Sequence, residues 1–280
     1  MKKFIIGVAM LLSAAIFTAK AQDLTIPQPS TQQTIIQNFG LGQVTLTYSR
    51  PNVKGRKIFG YMEPYGKVWR TGANWATTIK FSDDVTIEGK PVAAGEYALF
   101  SIPGQKEWVF ILNKTVKQWG AYTYKESDDV IRFTVPVKTT PAITESLTMD
   151  FADAGITDCF LQLNWEHVHT GLHLKIDVDT KIMANIDRAM QGAKKPYYFA
   201  AIYYYNNNKD LQKALDWMQT YDKAQPNSDN IKYWIARIQL KMGDKKAAIA
   251  TATEGVNLAT KDKDEEYTRL NKEVLAEAQK

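Results

Sequence analysis

"PYGKVWRTGANWATTIKF", residues 64–81, holds the passage from loop to strand on which the reading of the first half of the chain turns. Its end alternates, with Thr77, Ile79 and Phe81 on one side and Thr78 and Lys80 on the other. That is the period of a half-buried strand. Its beginning does not alternate. Tyr65, Trp69, Arg70, Asn74 and Trp75 stand among the small turn residues Gly66, Gly72 and Ala73, a mixture that suits neither strand nor helix. Such a stretch is either a braced corner of a β-fold or the floor of a binding site.

Outward from it the period of two persists. Val44, Leu46 and Tyr48 alternate with Thr45, Thr47 and Ser49. Turn signals recur at Ser82-Asp83-Asp84, Glu88-Gly89-Lys90, Pro103-Gly104 and Thr170-Gly171. Many short antiparallel strands at this spacing predict a β-sandwich, jelly-roll-like, over residues 22–180, with a small open barrel as the alternative. From about Lys181 the period becomes helical. Asp210 and Asp244 are 34 residues apart, as are Ala214 and Ala248, and Leu215 and Ile249. Thirty-four residues is the tetratricopeptide period. Residues 181–280 are therefore expected to form an all-α, tetratricopeptide-like module, with an ordinary helical bundle as the alternative. The fold class is α+β in two segregated domains. Flanking helices at about Lys181–Gly192 and Lys263–Ala278 are expected to cap the stack.

The first residues, MKKFIIGVAMLLSAAIFTAKAQ, carry a basic start, an apolar run and the small-x-small triplet Ala19-Lys20-Ala21. This pattern predicts a signal peptide over residues 1–21, cleaved after Ala21, and a periplasmic or secreted protein with no membrane span after cleavage. Cleavage removes Lys2, Lys3 and Lys20 and no acid, so the net charge falls from +5 to +2. That balance does not suit a nucleic-acid partner. Cys159 is the only cysteine, so no intrachain disulfide can form. It lies in the apolar alternation with Leu161, Leu163 and Trp165 and is expected to be buried.

Between the strand ending at Ser49 and the strand starting near Ala76 lie 26 residues, with three of the seven arginines, Arg50, Arg56 and Arg70. A loop this long in a compact domain is uncommon and usually functional or disordered. Ile58, Phe59, Tyr61, Tyr65, Val68 and Trp69 supply apolar anchors, so an ordered loop is expected. In one reading, Arg50, Arg56 and Arg70 face a small anion or a carbohydrate, Asn74 adds amide hydrogen bonds, and Tyr65, Trp69 and Trp75 offer ring faces. In the other, the arginines pair with Asp and Glu, and the aromatics fill the space beneath the loop.

The run "YSRP…KGRKIFG…PYGKVWRTGAN.ATTI", followed by "AGEYALFSIPG…EWVFILNK" and "QWG.Y.Y", resembles the bacterial domain-of-unknown-function family 2911 over roughly Leu24 to Asp179. The resemblance implies an exported, β-rich domain, in some members followed by tetratricopeptide-like helices, and no established reaction. The family's pattern often places an acid after Gly-Ala-Asn. Trp75 stands there instead, which counts against an enzyme at this loop.

The search for chemistry is otherwise short. All three histidines, His167, His169 and His173, fall in "NWEHVHTGLHLKIDV". A two-residue turn at Thr170-Gly171 would pair Val168 with His173, put His167 and His169 on one face and His173 on the other, and keep the three from converging on a metal. No Gly-x-Ser-x-Gly, His-Glu-x-x-His or Walker motif occurs. No cofactor and no metal are expected. On the helices, the 34-residue register makes Phe199, Tyr203 and Asn207 equivalent to Tyr233, Arg237 and Lys241. Tyr203, Asn207, Tyr233, Arg237 and Lys241 would then line a face for a protein or peptide partner. The leading expectation is a non-catalytic binding or interaction protein. The rival is a cell-envelope hydrolase acting on glycan or peptide, with its site at the same loop.

Overall fold

The computed structural model describes residues 26–280, and the expected signal peptide with its cleavage site lies outside the described residues. The chain divides into two compact units, the first ending at Ile176 and the second running from Asp177 to Lys280.

The first unit is built of antiparallel strands. One sheet has the order β1 (Thr31–Phe39), β2 (Gly42–Arg50), β3 (Thr77–Phe81), β6 (Gly95–Ile102), β7 (Glu107–Asn113) and β8 (Asp129–Pro136). The other has the order β5 (Lys90–Val92), β4 (Val85–Ile87), β10 (Asp158–Lys175) and β9 (Lys138–Ala152). The register explains the alternation in the sequence. Val44 faces Phe81 and Leu46 faces Ile79, so β2 and β3 bury the same face. The two sheets share buried groups. The Tyr48 hydroxyl on β2 accepts from the backbone N–H of Met149 on β9 and lies 2.9 Å from the Met149 carbonyl. The turns at residues 82–84, 88–89 and 103–104 fall between strands, and Glu88 and Gly89 both take the left-handed backbone of a tight hairpin.

The turn expected at Thr170-Gly171 is not where the chain reverses. An extended strand rises about 3.3 Å per residue. Yet within β10 the rings of Phe160 and His173 are 4.7 Å apart, and Asn164 Oδ1 is 2.8 Å from His169 Nδ1. The element therefore doubles back between Asn164 and His169. Glu166, at φ 55, sits in the bend, and β9 follows it through two register shifts. Gly171 belongs to the returning arm, where a Cβ would stand only 2.2 Å from the Leu161 carbonyl oxygen. Glycine is there for close passage of backbone, not for a turn. The fold-back also places the histidines differently from the expected hairpin: His169 and His173 share a face against Phe160, while His167 Nδ1 lies 2.9 Å from the Thr140 carbonyl. Cys159 is buried, as its place in the alternation predicts, and burial pushes its thiol up to about 11.

The second unit has six helices: α1 (Asp179–Ala189), α2 (Tyr197–Asn206), α3 (Leu211–Ala224), α4 (Asp229–Lys241), α5 (Lys245–Asp262) and α6 (Glu265–Ala278). Asp210 and Asp244 cap α3 and α5 in the same way, each carboxylate accepting from the backbone N–H three residues on. Asp264 does the same for α6, which starts it at Glu265 rather than Lys263. Ala214 and Ala248, also 34 residues apart, are both fully buried. None of the described helices is long and apolar enough to cross a membrane.

Candidate functional site

The loop between β2 and β3 is ordered because its aromatics are core. Phe59 and Trp69 insert between Trp108 of β7 and Trp165 of β10. The Phe59 and Trp108 centroids are 4.9 Å apart, and Trp69 stacks on Trp165 at 5.7 Å and 17°. Backbone bonds in both directions between Trp69 and Ser101 pin the loop to β6. The bend that follows is strained. Thr71, at φ 52, and Asn74, at φ 58, hold the left-handed conformation, which is a true outlier for a β-branched residue. Three bonds hold it: Thr71 Oγ1 donates to Ser101 Oγ at 2.9 Å, Thr77 Oγ1 to the Thr71 carbonyl at 2.7 Å, and Asn74 Nδ2 to the Ser30 carbonyl at 3.1 Å. Strain of this kind costs about 1–3 kcal/mol per residue and clusters at functional sites.

Under the bend lies a cavity of about 330 Å³, lined by Asn52, Lys54, Arg56, Glu63, Arg70, Gly72 and Trp165 among others. The predicted site residues divide sharply around it. Arg50 is a brace, with Nε donating to the Leu147 carbonyl and Nη2 to Thr148 Oγ1. Arg56 lines the cavity but spends donors on the Val53 and Asn52 carbonyls of its own loop. Trp69 is core, 3% exposed, with its indole N–H donated to the Gly72 carbonyl. Tyr65 lies outside the cavity, its ring against Gly60. Asn74 holds the bend. Trp75 is 52% exposed and meets Trp119, 50% exposed, edge to face at 5.3 Å.

Arg70 is different. It lines the cavity, its Nε is buried without a hydrogen-bond partner, and it forms no ion pair with any described residue. The indole N–H of fully buried Trp165 is likewise unpartnered. Buried donors are normally satisfied, so two on one cavity are notable. Across the cavity, burial raises the Glu63 carboxyl to about 7, against the opposing pull of the Arg70 charge. Near neutral pH this carboxyl is therefore close to half protonated. Glu63 and Trp165 carry no sequence signal of a site: one is an acid in a loop, the other a residue in an apolar alternation. Trp119 and Tyr122 also escaped assignment. Arg70 Nη1 lies 3.5 Å from where a Cβ of Gly120 would stand, and the Tyr122 ring lies 2.7 Å from the same point. The cavity arginine thus approaches the exposed aromatic segment.

The family model for a protein of unknown function, DUF2911, matches residues 30–174, just over half of the chain. The chain belongs to this family. Comparison with curated proteins and with solved structures found no match. Apart from Pro29, all the residues that line the cavity fall within the DUF2911 region.

Two of the three histidines of the DUF2911 region, His169 and His173, line a second cavity of about 620 Å³ with Phe160, Glu88 and Lys138, and His167 is not among its lining residues. No group of three or more metal-ligating side chains converges among the described residues. Beyond the DUF2911 region, the five helical residues separate. Tyr203 donates its hydroxyl to Asp179 on α1, Asn207 Nδ2 donates to the Tyr203 carbonyl, and Tyr233 packs on Trp234 and Tyr267. Arg237 and Lys241 do come together, at 5.5 and 4.4 Å from the Tyr205 ring. With Lys245 and Glu277 they line a cavity of about 420 Å³, and Arg237 Nε is buried and unpartnered.

Proposed function

We propose that the protein is an exported, non-catalytic binding protein that takes a small anionic or carbohydrate ligand into the Arg70 cavity and docks a protein partner on its helices. One observation carries the ligand reading: Arg70 stands on a cavity wall with a buried donor that nothing in the described chain satisfies. A buried guanidinium donor left without a partner calls for an explanation, and a ligand in the cavity that this residue lines is one that would complete it. The strained bend at Thr71 and Asn74 fits such a site, and the exposed Trp75 and Trp119 offer ring faces suited to a sugar.

In this reading the two sheets form a jelly-roll-like sandwich. The shared contacts of Tyr48 with Met149, and of Trp69 with Trp165, support it. The helices form a tetratricopeptide-like stack, supported by the matched caps at Asp210 and Asp244. The basic cluster of Arg237, Lys241 and Lys245 favours an acidic partner. Export follows from the N-terminal pattern alone.

The rival, a hydrolase, draws on Glu63, because an acid poised near neutrality suits proton transfer. A pair of carboxylates is what glycoside cleavage ordinarily needs, and Glu63 is the one acid among the residues lining this cavity. Thermal unfolding against envelope glycan fragments, acidic sugars, phosphates and peptides tests the binding reading. A ligand at about 100 times its Kd should stabilise by about 2.7 kcal/mol. Arg70→Ala should abolish that shift while leaving the unliganded protein folded. Turnover of any stabilising compound would favour the rival instead.

A further inference from the structure

The cavity wall carries more information than the presence of an anion site, because its charges are of both signs. Arg70 lines the cavity, and its buried Nε is not committed to any partner in the described chain, which leaves a planar guanidinium able to pair with a planar carboxylate. Glu63 lines the same cavity. The charged groups around Glu63 are Lys54, Arg56 and Arg70 from its own loop and Glu166 from β10. The Glu166 carboxylate is 3.4 and 3.5 Å from the amides of Ile58 and Phe59, and Glu63 is paired to that same turn by its backbone. Glu145 of β9 accepts from the Lys54 amide at the rim. An ionised Glu63 would repel any anion, and a dianion such as phosphate or sulfate about twice as strongly as a monoanion at the same distance. A monoanion meeting a protonated Glu63 escapes this, because the acid then becomes a hydrogen-bond donor. The free volume of about 330 Å³ suits a molecule of monosaccharide size, and the exposed Trp75 and Trp119 rings stand on the segment paired beside Arg70.

We propose, resting on the binding role above, that the cavity selects a carboxylate borne on a sugar-sized molecule. Arg70 grips the carboxylate, and Glu63 joins it as a neutral acid that donates to the second carboxylate oxygen. One proton taken from solvent enters with the ligand, and no covalent bond changes. Selection for a carboxylate comes from the pairing of one uncommitted guanidinium with one protonatable acid. Selection for a sugar-sized molecule comes from the volume of the cavity.

Isothermal titration calorimetry of the full chain from pH 6 to 9 tests this, with galacturonate, galactose, acetate and inorganic phosphate as probes. Runs in two buffers of different ionisation heat count protons. The expected result is that galacturonate binds, with uptake approaching one proton above pH 7. Its affinity should fall about tenfold for each pH unit above neutrality, because the proton must come from an increasingly dilute pool. Glu63→Gln, which mimics the neutral acid, should bind with no pH dependence, and Arg70→Lys should bind weakly. Galacturonate binding that ignores pH, or phosphate binding more tightly than galacturonate, overturns the proposal while the anion-binding role survives. Acetate binding as well as galacturonate overturns the sugar-sized selection. If none of the four probes binds in wild type or Glu63→Gln, this proposal falls. The broader panel then decides the binding role separately.

Discussion

Glu63→Gln should make the free protein more stable above neutral pH. Burial raises the Glu63 carboxyl from the ordinary 4.5 to about 7. The folded state therefore prefers the protonated acid. The stability it confers is complete below about pH 4.5, is lost as pH rises through the folded value, and levels off above it. The gap is about 2.5 pH units at roughly 1.4 kcal/mol each, or about 3.5 kcal/mol at most. Partial exposure of the side chain lets solvent screen the penalty, so about 2 kcal/mol is the working figure. Glutamine keeps the shape and cannot ionise. In urea unfolding, the variant should match the wild type at pH 4 and exceed it by about 2 kcal/mol at pH 8.5, with an unchanged m-value. A gain that large from one conservative change is characteristic of a functional group held at the expense of stability. Equal midpoints at both pH values would refute the reasoning, because Glu63 would then ionise as freely folded as unfolded. A loss at pH 8.5 would show that the ionised carboxylate makes contacts that outweigh its burial.

Three further outcomes follow from the packing. Gly171→Ala puts a Cβ 2.2 Å from the Leu161 carbonyl and should cost about 2 kcal/mol or more, read as a drop in the urea midpoint. No loss there would mean that β10 does not fold back at Glu166. Tyr48→Phe leaves a buried Met149 amide without its acceptor and should cost about 1–3 kcal/mol, with little effect on ligand binding. Cys159, buried and with its thiol raised to about 11, should resist alkylation at pH 8 in the folded protein and react promptly in denaturant.

Much of the first unit was legible because it is written locally. The alternations at residues 44–48 and 77–81 became β2 and β3 with their buried faces in register. The aromatics of the long loop read as anchors, and Phe59 and Trp69 are anchors. The loop's arginines fit neither reading whole: Arg50 and Arg56 brace, but on carbonyls and a threonine rather than on Asp or Glu, and the buried Nε of Arg70 has no partner. What stayed hidden is long-range. Thr170-Gly171 has the composition of a turn, but the reversal is set by Glu166, whose carboxylate faces two amides more than a hundred residues away in sequence. Glu63 gains its character only from the cavity around it, which no local pattern encodes. In the second unit the period of 34 aligned Asp210 with Asp244, which the structure shows to be matching helix caps, yet it could not tell that Tyr203 and Tyr233 would be spent on neighbouring helices, leaving Arg237 and Lys241 together.

Whether Arg70 and its cavity take a ligand can be read from the indole N–H signals of the full chain. Nuclear magnetic resonance reads each tryptophan separately once Trp165→Phe and Trp69→Phe have assigned their lines. Trp165, which lines the cavity and whose indole N–H is buried without a partner, should move most when galacturonate is added at pH 6.5. Trp69, already bonded to Gly72, should move little, and Arg70→Ala should silence both responses. A Trp165 line that stays in place with galacturonate and with the full panel of anions would contradict the account and leave the loop as bracing alone.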